Sequence, residues 1–79
     1  GEGVELDTVE VTDYPESPFE TGIKSQKFNG GSWVIVERYL TKEIAESGHK
    51  RWVQTVELSG LPDNLTDVNT GEVYTKMDE

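Results

Sequence analysis

Cysteine is absent from this chain, and histidine, methionine and lysine-rich runs are scarce. The 79 residues hold no Cys, one His and one Met. No disulfide can staple the fold, and neither a thiolate nor a multi-histidine zinc site can be assembled. Long apolar runs are missing too, which excludes a membrane-spanning helix. Hydrophobic residues make up 33% of the chain. A chain this short buries a modest fraction of its surface, so a partner subunit is a natural way to complete its core. Positive charge is missing from one end. Residues 1–20 carry seven acids and no base, residues 21–58 six bases and four acids, and the remainder five acids and Lys76. The segment charges of −7, +2 and −4 make up the net −9. Direct binding to a nucleic acid backbone is disfavoured, because counterion release needs clustered Lys and Arg.

What is present is a pattern of short β-rich segments. Val4, Leu6 and Thr8 alternate with acids, then Val9 and Val11 continue one step out of phase. This reads as an edge strand within an acidic N-terminal arm, with a bulge near Thr8-Val9. Pro15 and Pro18 end it. Phe19–Lys27 reads as extended with a break at Gly22, and Asn29-Gly30-Gly31 as a turn. Trp33–Leu40 and Arg51–Leu58 are both rich in β-branched and aromatic residues. They read as the arms of a long central hairpin (28–58), pairing Leu40 with Trp52, Val36 with Val56 and Val34 with Leu58. Between them, Thr41 could cap a short helical turn, and Ser47-Gly48-His49 reads as a mobile loop tip. In this register Trp33, Ile35, Tyr39 and Val53 share the second face, so both faces are apolar and both need cover. A further hairpin is expected over residues 67–75, with Gly71 left-handed, and a frayed end at 76–79. The expected fold is all-β: one small barrel or sandwich over residues 1–79.

Chemical motifs are thin. Asp67-x-Asn69-x-Gly71 echoes a calcium loop but lacks the remaining carboxylates, so a turn explains it. Glu37 and Glu57 share a hairpin face without a pocket motif. His49 has no positioned acid or nucleophile beside it. Trp33 and Trp52 point to opposite faces, which excludes a shared stacking platform. No cofactor or metal is expected, and no enzymatic activity.

The run Phe28-x-Gly30-x-x-Trp33, followed after a loop by Trp52-x-Gln54-Thr55-x-Glu57-Leu58, resembles a strand pair of bacteriophage tail hub and baseplate modules over residues 27–59. The resemblance implies a structural virion protein that holds other protein subunits, a second copy of itself included. Its interface would comprise Trp33, Ile35, Tyr39 and Val53, with Lys42, Lys50 and Arg51 as a basic rim. Two readings of other classes stand beside it. One is a small acidic inhibitor that mimics nucleic acid. The other is an extracellular module recognising carbohydrate or a host surface.

Overall fold

A computed structural model describes residues 3–77. Three strands, β1 (Val4–Glu10), β2 (Phe19–Ser25) and β3 (Trp33–Tyr39), form an antiparallel sheet in the order β1-β2-β3. One long helix, α1 (Lys42–Ser59), packs across one face of it. A small hairpin of β4 (Asn64–Thr66) and β5 (Val73–Thr75) follows. The domain is mixed α/β, which overturns the expected all-β barrel or sandwich.

The correction centres on residues 51–58, which are helical. The expected partner arm of the hairpin does not exist, and β3 pairs with β2 instead. The helix begins where Thr41 caps it. The Thr41 hydroxyl accepts from the Ile44 N–H at 3.2 Å, and Glu43 sits favourably in the first turn. The inward side is set by Ala45, Gly48, Trp52 and Val56, spaced three or four apart as one helix face requires. Gly60 ends it with φ +76°. The β-branched run Val53–Val56 favours a strand by propensity alone, and tertiary packing overrides that weak preference.

The core holds Ile23, Phe28, Val34 and Leu65, with Val4, Leu6, Val36, Trp52, Leu61 and Tyr74 against it. Leu65 is the contribution of the β4–β5 hairpin. Its turn spans residues 67–72 with Gly71 at φ +80°. Asp67 organises that turn and ties it to β3. Its carboxylate accepts from the N–H groups of Asn69 (2.8 Å), Thr70 (3.2 Å) and Ile35 (3.3 Å), while the Val68 N–H donates to the Ile35 carbonyl. The calcium-like spacing is therefore a turn whose acid is spent on backbone donors. Residues 76 and 77 are tied down rather than frayed. Lys76 donates to the Asp63 and Leu61 carbonyls and Met77 to that of Lys27. Residues 78–79 of the expected frayed end, and 1–2 of the acidic arm, lie outside the described residues.

One irregularity decides which side chains meet. The β1–β2 register is continuous from Val4↔Ser25 to Glu10↔Phe19, so the bulge expected at Thr8-Val9 is absent. It lies between β2 and β3: Gly22 pairs with Ile35 and Thr21 with Glu37, leaving Val36 as the extra residue. Trp33 and Ile35 face away from the helix, over Gly22. Val36 joins the core, and beyond it Glu37 and Tyr39 face the helix.

Candidate functional site

Two polar arrangements and two grooves are the places where this chain could do chemistry or bind. The first arrangement crosses the helix–sheet interface. His49 Nδ1 lies 2.7 Å from the Thr8 hydroxyl, Thr8 lies 2.6 Å from Thr21, and Thr21 lies 2.9 Å from the Tyr39 hydroxyl. Tyr39 donates to Glu37 at 3.3 Å. Glu37 also accepts from the Trp52 indole N–H at 2.8 Å and pairs with Arg51. If each group donates toward the carboxylate, Thr21 donates to Tyr39, Thr8 to Thr21, and His49 to Thr8. In that sense His49 is the donor to Thr8 and not its base, so Thr8 is not activated as a nucleophile. Tyr39 is 3% exposed. Burial pushes its phenol above the ordinary value, the Thr21 hydrogen bond pulls it back, and the Glu37 charge pushes it up again.

The second arrangement lies on the outer face. Arg38 pairs with Glu20, donates to the Ser17 carbonyl at 2.8 Å and to Asn69 at 3.2 Å, and stacks 3.8 Å from the centre of the Tyr14 ring. This cluster binds the 14–17 turn to the sheet and leaves the guanidinium no free edge. Among the described residues no group of His, Asp and Glu could hold a metal ion, and no helix is long and apolar enough to cross a membrane.

The grooves flank β1. On the helix side an open groove of 620 Å³ is lined by Asp7, Thr8, Val9, Phe19, Ala45 and His49, with Glu10, Lys42, Glu46 and Lys50 also along it. On the outer side a groove of 340 Å³ is lined by Asp7, Val9, Glu20, Gly22, Trp33 and Ile35. Asp7 and Val9 line both. Among the described residues β1 is an edge strand, bonded to β2 alone. Its free backbone groups form the ridge between the grooves.

The structure divides the residues expected to form one interface. Trp33, 40% exposed, and Ile35 share the outer face. Tyr39 is buried on the opposite side, because the Val36 bulge reverses its facing. Val53 is half-buried on α1. Lys42 and Lys50 flank the helix-side groove, and Arg51 is committed to Glu37. Sequence reasoning missed the β1 ridge at Asp7 and Val9, and the Thr8–His49 contact. The alternation of acids along β1 was the visible signal for the ridge. Nothing in the sequence signals the pairing of Thr8 with His49, 41 residues apart.

The strand pair behind the resemblance to tail hub and baseplate modules is a strand and a helix here. No protein-family model, curated protein or solved structure matches the chain, so the comparisons lend that resemblance no support.

Proposed function

We propose that this chain is a non-enzymatic contact module acting by protein–protein association, with the open β1 edge and the adjoining outer face as its docking surface. The observation that carries the reading is the edge itself: the side of β1 (Val4–Glu10) turned away from β2, whose backbone groups have no strand partner among the described residues, with grooves on both sides that share Asp7 and Val9. Strand edges left open are templates for pairing with another chain. The partly exposed Trp33, lying over Gly22, adds an apolar anchor of the kind enriched at interfaces. A phage tail or baseplate is one setting for such a module, and that setting rests on the Phe28–Leu58 motif alone.

The two other readings have less behind them. A nucleic-acid mimic needs an unbroken row of carboxylates. Here Lys24 lies 4.0 Å from Glu5, and Arg38 and Arg51 pair with Glu20 and Glu37. A carbohydrate platform would lack a second tryptophan beside Trp33, because Trp52 packs against the core, and the exposed Tyr14 ring is stacked by Arg38.

A photo-crosslinking residue at Val9 or Trp33, compared with one at Gln54 on the exposed side of α1, tests the proposal in extracts of the source cells. Discrete crosslinks at Val9 and Trp33 but not at Gln54 are expected. Equal crosslinking at all three positions, or none at Val9 and Trp33, would remove the basis for a docking edge.

A further inference from the structure

Resting on that reading of β1 as a docking edge, we infer the chemistry of its occupant: an extended basic segment of another protein, added as a fourth strand beside β1. The backbone phase fixes what such a strand would find. The Val11 N–H donates to the Pro18 carbonyl at 2.7 Å. In an uninterrupted antiparallel register, bonding to the partner alternates residue by residue. Val9, Asp7 and Glu5 therefore exchange bonds with β2. The N–H and C=O groups of Leu6, Thr8 and Glu10 point to the open edge.

Side-chain chemistry then selects the occupant. On the outer face β1 presents Glu5 and Asp7, both exposed, followed by Val9. Opposite charges across a strand pair stabilise and like charges destabilise. A second copy of the chain, pairing β1 with β1, would set these acids against each other and bring together two molecules of net charge −9. A lysine or arginine opposite Asp7 has a fitted berth. Its aliphatic stem can lie along Val9, and its cationic head reaches Asp7 at the mouth of the outer groove, where Glu20 adds a further acid. On the helix side the groove carries both signs of charge, Glu10 and Glu46 beside Lys42 and Lys50, and so selects for neither, while Phe19 and Ala45 offer apolar surface. The fitting segment therefore alternates basic residues outward with small apolar residues toward α1.

A peptide of about eight residues alternating Lys and Val, with a Glu–Val counterpart, tests this against the full chain. The readout is amide hydrogen exchange by NMR at low salt. The Lys–Val peptide should slow exchange at Leu6, Thr8 and Glu10, and the Glu–Val peptide should not. The pair Glu5→Lys and Asp7→Lys, both at exposed positions, should weaken binding by about tenfold or more. Glu10→Pro removes an outward N–H without taking a bond from β2. It should abolish protection at the edge, whereas Glu10→Gln should retain it. Equal binding of the two peptides, binding without protection of those amides, or self-association of the free chain through β1 at neutral pH would overturn the inference. If crosslinking at Val9 persisted despite such a result, the docking edge would stand and only its assigned occupant would fall.

Discussion

Tyr39 concentrates much of what this fold does with a single side chain. Its ring fills the space between β3 and α1, and its hydroxyl joins Thr21 to Glu37. Among the described residues no buried side-chain nitrogen or oxygen lacks a partner, and this chain of hydroxyls is part of the reason. Tyr39→Phe should cost about 1 kcal/mol, since it leaves Thr21 short of one partner in a dry site. The pH dependence follows from the raised phenol. In the unfolded chain the tyrosine ionises near its ordinary value of 10.0, while in the folded chain it keeps its proton to higher pH. The folded state then binds more protons than the unfolded state, so stability is level below that pH and falls as pH rises through it. Denaturant melts at stepped alkaline pH should show this decline, and it should be shallower in Tyr39→Phe. An unchanged slope would mean that the ionising group is another tyrosine.

Among the elements, α1 was the least legible and β1 the most. Its cap at Thr41 was readable, but the expected turn stopped near His49, because Ser47-Gly48-His49 carries the composition of a loop. The structure gives Gly48 a different purpose. A Cβ there would overlap the Tyr39 ring end, which is held in place by Thr21. Glycine therefore sits inside a helix, at a usual cost of about 1 kcal/mol relative to alanine, because it lets the helix approach the sheet closely. Gly48→Ala should destabilise by about 1–3 kcal/mol despite its better helix propensity. Thermal melts would show it, and a stabilised variant would mean that helix and sheet can separate freely at that point. The β2–β3 pairing was hidden for a related reason. Arg51–Leu58 imitates a strand in composition, and a strand and a helix both bring residues i and i+4 to the same side. β1, whose apolar–acid alternation slips only at Thr8-Val9, was read nearly to its ends, although the bulge expected at that slip is absent.

For the whole molecule, surface charge holds the open edge apart from its own kind. The sequence pI is about 4.4 and the net charge at pH 7 is −9. Acidification toward pH 4.4 brings the net charge to zero and removes the overall repulsion between two copies. Light scattering across that range should detect association that reverses on returning to neutral pH, and that Asp7→Asn shifts to higher pH. A chain that stays monomeric at its isoelectric point would show that something other than charge protects the edge. The division of labour between faces, with the core under α1 and Trp33 left over Gly22, was partly visible beforehand. Trp33 and Trp52 do lie apart, but on a strand and a helix rather than on the two faces of one hairpin as expected. The expected second face needed cover from a further layer or another subunit, and among the described residues Trp33 stays 40% exposed.

Val36 has a consequence that reaches past its own contacts. As the surplus residue of β3 it works like a frameshift in a reading frame: upstream, odd positions look outward, and downstream they look inward. Removing that one residue would restore simple alternation, with Ile35 outward, Glu37 inward, Arg38 outward and Tyr39 inward, so these side chains would keep their sides and only the Val36 methyls would leave the core. What the surplus residue adds is succession: two neighbours face the helix one after the other, Val36 for the core and Glu37 for Trp52 and Arg51.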